Sequence, residues 1–390
     1  RSMPWGALTG IRPTKLAYSE IEAGRPFEPM FEKFGVSPEN IALVRSVLQA
    51  QEGIYSKEEG AADLYIGIPF CPSICLYCSF GSHVLSRWEH MVDPYLDALI
   101  KELIFISENM KDYTLDTIYI GGGTPTTLNA AQMERLLTKV TELFPMEQVQ
   151  EFTVEAGRPD TINEEVLKAI RKFPVTRISI NPQTMNQETL DLIGRHHTVE
   201  EIEEKFRMAR SLGFDNINMD LIAGLPGDTV EGFEASLRQA IALDPENITV
   251  HTLTLKRASN IVVEHRAADY ADVAAMLGKC SLLADAGYRP YYMYRQKGTL
   301  QNLENIGWAK PGFECLYNIY IMEEVHTILS AGAGGSTKLV IPGQRRGKIE
   351  RIFNFKYPTE YIDRFAELLG RKKAVEDFYA RYTSQTLRQP

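Results

Sequence analysis

The stretch that decides the fold of this chain is residues 64–78, which read Leu64-Tyr65-Ile66-Gly67-Ile68-Pro69-Phe70-Cys71-Pro72-Ser73-Ile74-Cys75-Leu76-Tyr77-Cys78. A short β-branched run ends at Ile68, and three cysteines follow with CxxxCxxC spacing on a predicted loop. Three thiolates at these offsets can ligate three irons of a 4Fe-4S cluster and leave the fourth iron open to an exogenous ligand. The alternative is a structural zinc site, but such sites normally close with four protein ligands, and only His83 stands nearby.

Outward from this stretch, β-branched runs alternate with amphipathic helical stretches, which is the pattern of βα units around a parallel sheet. The predicted strands are residues 64–68, 117–120, 151–155, 176–180, 216–221, 248–253 and 289–294. The predicted helices include residues 93–109, 131–143, 199–212, 230–242 and 267–286. Right-handed crossovers make adjacent strands parallel and collect the functional loops at the C-terminal strand ends. The number of units predicts an α/β fold of the partial-barrel kind.

Three segments are predicted. Residues 1–60 read as a helical N-terminal segment, residues 61–298 as the partial barrel, and residues 299–390 as a C-terminal extension that contains a glycine-rich stretch.

Composition narrows the class of protein. The chain has 390 residues with 44% hydrophobic and 24% charged side chains, which is ordinary for a globular protein. The net charge of -9 argues against nucleic acid as a partner, although a local basic pocket is compatible with it. No apolar stretch approaches the roughly 20 residues that a membrane span needs. Three of the five cysteines fall within eight residues, which favours a reducing compartment, so the predicted location is cytoplasmic.

The cysteine loop and its lead-in strand resemble those of the radical S-adenosylmethionine (SAM) superfamily. More closely, they resemble its oxygen-independent coproporphyrinogen III oxidase-like branch, with Tyr65 in the place of the branch's cluster-side tyrosine. Within the branch, residues 5–13 and 302–312 most resemble coproporphyrinogen dehydrogenases of the HemZ type. The resemblance implies a (β/α)6 partial barrel, a 4Fe-4S cluster and SAM.

The resemblance also implies which residues hold the cofactors. The cluster ligands are Cys71, Cys75 and Cys78. The SAM and cluster surroundings are Tyr65, Tyr77, Gly122, Gly123, Thr124, Glu155, Gln183, Arg195 and Asp220, most of them at successive strand ends. Members of this family can hold two SAM molecules, and the stretch 332–336 resembles their second glycine-rich segment, with a plain turn as the alternative.

The activity that the resemblance implies is oxidative decarboxylation of coproporphyrinogen III, in which two propionates become vinyl groups to give protoporphyrinogen IX. It implies a tetrapyrrole substrate and a low-potential electron donor such as flavodoxin or ferredoxin. The oligomeric state does not follow from the sequence. The residues proposed to line the substrate site are Arg257, Arg295, Lys297, Tyr291, Tyr292 and Tyr294.

One departure bears on this activity. Relatives of the classical kind carry a fourth cysteine two places after the third, where this chain has Phe80, and Cys315 substitutes only if the fold brings it close.

Two other functions stay open. The branch includes haem chaperones, but these carry a His-Asn motif where this chain has Gln301-Asn302. Candidate haem ligands are His196, His197 and His251. Radical methyl transfer to a tetrapyrrole is the other alternative.

Overall fold

The structure, a computed structural model, describes residues 4–9, 12–54, 60–78, 82–109, 113–255, 272–296, 298–341 and 349–386. Three residues that the sequence analysis singles out, Phe80, Arg257 and Lys297, lie outside these ranges, as does the beginning of the predicted helix 267–286. No helix in the described ranges has both the length and the apolar character needed to cross a bilayer.

The described strands form one large sheet and one small one. The strands are β1 (Ala61–Ile68), β2 (Phe70–Cys71), β3 (His83–Val84), β4 (Thr114–Gly122), β5 (Glu151–Gly157), β6 (Arg177–Ile180), β7 (Ile217–Ala223), β8 (Asn247–Thr252), β9 (Arg289–Arg295), β10 (Glu304–Ala309), β11 (Thr327–Ala331), β12 (Ser336–Leu339) and β13 (Glu350–Phe353). The order of the large sheet is β13-β12-β11-β1-β4-β5-β6-β7-β8-β10-β9, and β2 pairs with β3.

The centre of the large sheet is parallel. Strands β1, β4, β5, β6, β7 and β8 are neighbours in chain order, and β11 adds a seventh parallel strand beside β1. The described strands do not close into a ring, since β13 and β9 form the two edges. The predicted α/β fold with a partial (β/α)6 barrel is therefore confirmed.

The pairing expected for the last predicted strand is wrong. Strand β9 does not lie beside β8; it pairs antiparallel with β10, which itself pairs antiparallel with β8. The reason is the length of the connection, because only residues 296–303 link β9 to β10. A parallel crossover needs a dozen or more residues, so this link makes a hairpin. The C-terminal end of β9 still reaches the same edge as the parallel strands.

The helices have the following bounds: Pro13–Glu22, Glu28–Lys33, Pro38–Ala50, Leu85–Asn109, Ala130–Leu143, Glu164–Arg171, Gln187–Leu192, Val199–Ser211, Val230–Ala242, Val273–Gly278, Ser281–Asp285, Leu316–Glu323, Pro358–Asp363, Phe365–Lys372 and Ala374–Thr386. Several begin at polar caps just beyond the strand ends. Asn129 with Gln132 and Thr198 with Glu201 form capping boxes, in which each side chain accepts from the other residue's amide. In the described part of the predicted helix 267–286, two short helices replace one long one.

The N-terminal segment packs on the last hairpin of the sheet. Trp5 is almost fully buried, and its indole Nε1 donates to Glu304 Oε2 at 2.7 Å. The guanidinium of Arg295 lies 5.2 Å from the same indole ring and donates to the carbonyl of Leu8 at 2.8 Å. These contacts join the opening of the chain to β9 and β10.

The C-terminal helices are joined to the barrel by a buried polar network around Glu102. This carboxylate accepts from the amide of Gly332 and from the side-chain amide of Asn354, both at 2.8 Å, and from the hydroxyl of Tyr361. Lys372 Nζ lies 3.0 Å from Glu102 Oε1, and both side chains are almost completely buried. The predicted segment boundaries stay a prediction, although strands β10 to β13 join the same sheet as the barrel strands.

We expect Lys372→Met to lower the free energy of unfolding by about 3–5 kcal/mol, because it leaves the Glu102 carboxylate buried without its cation. Urea denaturation followed by circular dichroism measures the change. Adding Glu102→Gln to this variant removes the unpaired charge and should restore part of the loss. Asp97→Asn, which breaks an exposed ion pair with Arg135, is the control and should cost no more than about 1 kcal/mol. A loss for Lys372→Met as small as the control's would contradict the expectation.

Candidate functional site

A cavity of about 770 Å³ opens at the C-terminal ends of the parallel strands, and we call it the strand-end cavity. It is the expected place for a ligand in a parallel α/β barrel, because the loops that follow the strands converge there. All twelve residues that the sequence assigns to the cluster and to SAM lie on its wall. They are Tyr65, Cys71, Cys75, Tyr77, Cys78, Gly122, Gly123, Thr124, Glu155, Gln183, Arg195 and Asp220.

The cysteine loop is held by its neighbours on several sides. Cys71 belongs to β2, which pairs with β3, and its Sγ lies 3.4 Å from Thr124 Oγ1. The amide of Leu76 donates to the carbonyl of Ile193 at 2.9 Å, and Arg158 Nη1 lies 3.7 Å from Cys75 Sγ. Cys71 and Cys75 are buried, whereas Cys78 is half-buried. The three thiols are therefore presented to one cavity from a fixed loop.

The three cysteines of the loop are the residues that the sequence assigns to the cluster. Among the described residues, no three His, Cys, Asp or Glu side chains converge as ligands of one ion would. A tetrahedral zinc site needs such convergence, with each sulfur about 2.3 Å from the metal. A cubane instead takes one thiolate on each of three irons, so its ligands stand further apart. Burial raises the pKa of the Cys71 thiol, and the Thr124 hydroxyl partly opposes this.

The glycines after β4 are required by close packing against the cysteine loop. The amide of Gly123 donates to the carbonyl of Ile68 at 2.7 Å, and that of Thr124 donates to Phe70 at 2.8 Å. A Cβ on Gly123 would lie 2.5 Å from the Phe70 carbonyl oxygen and 3.0 Å from Cys71 Sγ. Gly122 has φ +112°, which side chains rarely adopt. Only glycine lets this backbone reach the cysteine loop.

Two acids on the cavity wall, Glu155 on β5 and Asp220 on β7, have pKa values shifted in opposite directions. Burial raises the pKa of Glu155 to about 7, although the Tyr119 hydroxyl donates to its Oε1 at 2.5 Å. Burial alone would also raise the pKa of Asp220, but the His251 imidazole and the Asn218 amide lower it below its ordinary value. His251 Nε2 lies 3.6 Å from Asp220 Oδ2, and its Nδ1 lies 3.3 Å from the Tyr294 hydroxyl.

Three buried polar groups on the cavity wall keep an unused hydrogen-bonding atom. Arg195 Nε, Gln183 Oε1 and Asn181 Oδ1 have no hydrogen-bond partner among the described residues. Arg195 Nη1 is used, since it donates to the carbonyl of Asn181 at 2.5 Å. Buried polar atoms normally find partners, so these orphans indicate a polar ligand with both donors and acceptors. The amino, carboxylate and hydroxyl groups of SAM fit that description.

The structure corrects the predicted substrate lining. Arg295 does not line the strand-end cavity, because the N-terminal segment holds its guanidinium at Trp5 and Leu8. Tyr291 and Tyr292 are buried inside the barrel, and only Tyr294 of the three tyrosines reaches the cavity. From the second glycine-rich stretch, Ala333 and Gly334 lie on the cavity wall.

Cys315 does not substitute for the missing fourth cysteine. It is fully buried, is absent from the cavity wall, and its Sγ donates to Glu151 Oε1 at 3.2 Å. Glu151 begins β5, so this contact lies at the opposite end of the strand from Glu155. Cys280, the other separate cysteine, is also buried. Both are buried thiols outside the cluster loop.

Several wall residues escaped the sequence analysis as parts of the cofactor site. Arg158, Asn181 and His251 all stand at or just after the C-terminal end of a predicted strand, so the strand-end rule could have found them. Arg158 forms a two-pronged ion pair with Asp160 and donates to Ser73, which ties β5 to the cysteine loop. Asn354 and Lys356 come from the C-terminal extension, where no periodic pattern pointed to the cavity.

Comparison with known proteins identifies the family. A sequence model of the radical SAM superfamily matches residues 65–240. The chain is 42% identical to the Bacillus subtilis protein named oxygen-independent coproporphyrinogen-III oxidase-like protein HemZ, over 98% of this chain and 79% of that relative. The chain belongs to the radical SAM superfamily. This membership confirms the predicted resemblance, including its coproporphyrinogen oxidase-like branch, and implies a 4Fe-4S cluster and SAM as cofactors.

Other radical SAM relatives carry names that refer to different functions. The chain is 34% identical to the heme chaperone HemW of Lactococcus lactis, over 80% of this chain and 79% of that relative. The solved structure of coproporphyrinogen III oxidase (HemN) from Escherichia coli has the same fold, with a TM-score of 0.65 and 26% identity over 82% of this chain and 72% of that chain. The fold and the superfamily therefore agree, whereas the names of the relatives do not select one reaction.

We expect Gly123→Ala to reduce the iron bound per chain after anaerobic reconstitution, because the new methyl group would displace Phe70 and Cys71. Overpacking of this kind also costs about 1–3 kcal/mol of stability. Iron and sulfide analysis measures the first effect. Gly370→Ala is the matched control, since its Cβ meets nothing within 4 Å. If Gly123→Ala keeps the wild-type iron content, the close packing is not needed for the cluster.

We expect SAM binding to strengthen between pH 6 and pH 8. Glu155, with a pKa of about 7, is mostly neutral below that pH and mostly ionised above it. If the ionised carboxylate accepts from the ligand's amino group, affinity rises about tenfold over this range. Isothermal titration calorimetry with the wild type and with Glu155→Gln isolates this group from Asp220 and His251. A rise of equal size in both proteins would contradict the role of Glu155.

Proposed function

We propose that this protein is a radical SAM enzyme that oxidatively decarboxylates the propionates of coproporphyrinogen III. The observation that carries the proposal is the 42% identity to a coproporphyrinogen-III oxidase-like protein over nearly the whole chain. The gathering of all twelve assigned residues in one cavity supports it. When bound, a 4Fe-4S cluster and SAM supply a 5′-deoxyadenosyl radical, which removes a hydrogen atom from a substrate propionate.

The steps that follow hydrogen removal require one external electron acceptor. After the hydrogen atom is removed, the propionate loses carbon dioxide and passes one electron to an acceptor, which leaves a vinyl group. Two such rounds convert coproporphyrinogen III to protoporphyrinogen IX. A low-potential donor supplies the electron that starts each round, so the proposed partners are a reductant of the flavodoxin or ferredoxin class and a separate acceptor.

The protein's part is to bind and orient. Gly122, Gly123 and Thr124 line the cavity next to the cysteine loop, and in the proposal this segment lies against the ligand's amino group. Arg195 and Gln183 offer their unused polar atoms to a carboxylate and a hydroxyl. Glu155 on β5 and Asp220 on β7 provide acceptors for amino and ribose groups. A second SAM molecule stays a prediction, with Ala333 and Gly334 at the cavity wall as its candidate contacts.

Haem chaperone activity is the second candidate, because relatives named heme chaperone HemW are up to 34% identical to this chain. The candidate haem ligands support it poorly. His196 is exposed and His197 is buried away from the cavity wall, where burial and Arg195 lower the pKa of His197 to about 4. His251 lines the cavity, but both ring nitrogens already face Asp220 and Tyr294. Haem ligation through His251 would break one of these contacts.

The test is anaerobic incubation of the reconstituted protein with SAM, a low-potential reductant, an electron acceptor and coproporphyrinogen III, followed by mass spectrometry. Loss of two carbon dioxide equivalents together with 5′-deoxyadenosine supports the proposed reaction. Cys75→Ala should abolish both products because it removes a cluster ligand, whereas Cys280→Ala, a matched change at a buried thiol elsewhere, should retain them. Formation of 5′-deoxyadenosine with unchanged porphyrin would overturn the substrate, and a methylated product would indicate methyl transfer.

A further inference from the structure

The part of the strand-end cavity wall that β13 contributes carries an exposed apolar side chain. Phe353 ends this edge strand and lines the cavity, yet its side chain is 58% exposed. Ile74 of the cysteine loop also lines the cavity and is 41% exposed. Apolar side chains that line a concave pocket are the usual contact surface for the apolar part of a ligand. The two side chains give the cavity an apolar surface that the SAM-binding groups do not need.

Lys356 adds an available positive charge to this wall. Three cations in the described part of the chain line the cavity: Arg158, Arg195 and Lys356. Arg158 and Arg195 are buried and held by Asp160 and by the Asn181 carbonyl. Lys356 is exposed, and no carboxylate among the described residues pairs with it. Burial lowers the pKa of His83, and the charge of Lys356 adds to this shift. Lys356 is thus the lining cation left for an anionic ligand.

The segment that carries Phe353 and Lys356 is held in place by hydrogen bonds. The side-chain amide of Asn354 donates to Glu102 and to the carbonyl of Gly332, both at 2.8 Å. The backbone amide of Asn354 donates to the carbonyl of Gly335 at 2.9 Å, and that of Gly334 donates to Phe355 at 2.7 Å. A site that orients a ligand needs such support, because each loose side chain lowers precision.

We propose that Phe353 and Lys356 bind the substrate macrocycle, with the phenyl ring and Ile74 against its apolar face and the Lys356 ammonium on one of its carboxylates. The ligand class is a large apolar ring that carries propionates. This inference rests on the proposed function and replaces Arg295, Tyr291 and Tyr292, which the structure places away from the cavity. Since β13 is one edge strand of the sheet and β9 is the other, the substrate would approach from the side of the C-terminal extension.

The test titrates coproporphyrin III, the stable oxidised analogue, into the reconstituted protein and follows porphyrin fluorescence. We expect Lys356→Gln to weaken binding about threefold to fivefold, the effect of one exposed ion pair. Phe353→Ala should weaken it about tenfold through lost apolar contact. The affinity for coproporphyrin III tetramethyl ester, which lacks carboxylates, should not change in Lys356→Gln but should still fall in Phe353→Ala. The controls are Lys373→Gln and Phe34→Ala, exposed positions outside the cavity wall.

The outcomes separate this inference from the proposed function. If the wild type binds coproporphyrin III and both variants bind it like the controls, the assignment of Phe353 and Lys356 is wrong, while the proposed substrate stands. If the wild type binds SAM but no coproporphyrin III, the proposed substrate class itself is overturned. SAM binding measured in parallel should be unchanged in both variants, and its loss would show that the substitutions disturb the cavity as a whole and would overturn the assignment.

Discussion

The backbone at Gly122 and Gly123 packs directly against the end of β1, and the amide of Gly123 donates to the carbonyl of Ile68 at 2.7 Å. This contact joins the first two strand ends of the barrel at the point where the cysteine loop begins. Because any side chain at Gly123 would meet Phe70 and Cys71, the position of the thiols depends on it. The parallel strands then bring the remaining polar groups to the same C-terminal side of the barrel. The position of the cysteine loop relative to these groups therefore depends on this backbone contact.

The sequence predicted what depends on local pattern and on strand direction. Glu155 and Asp220 were assigned through the family resemblance, and their places on parallel strands agree with it, since such strands bring their C-terminal ends together. Arg295 was misassigned because its partners, Trp5 and Leu8, are nearly three hundred residues away and leave no local signal. The same holds for Lys356, whose place at the cavity depends on the antiparallel pairing of β12 with β13. The location of a charged residue at a strand end can be predicted only where the sequence also predicts which strands lie beside it.

The two ends of the chain stabilise opposite edges of the sheet. The N-terminal segment packs on β9 and β10 through the hydrogen bond from Trp5 to Glu304. The C-terminal helices contact the β13 edge, where Arg371 Nη1 donates to the carbonyl of Phe353 at 3.2 Å, and they also hold Glu102 through Tyr361 and Lys372. An open sheet leaves two edges unpaired, and covering them is a general requirement. The Glu102 network also holds the loop at Gly332, so the same contacts that cover one edge shape the cavity wall.

The charges on the cavity wall are sorted in a way that suits two ligands of opposite character. The acids Glu155 and Asp220 lie on the central strands β5 and β7, whereas the available cation, Lys356, lies beyond the edge strand β13. In the proposed function, SAM carries a sulfonium and an amino group, and the substrate carries propionates. Opposite charges attract most strongly where water is excluded, and like charges repel under the same conditions. Lys356 would therefore draw a substrate carboxylate toward β13, whereas Glu155 and Asp220 would draw the cationic groups of SAM toward β5 and β7.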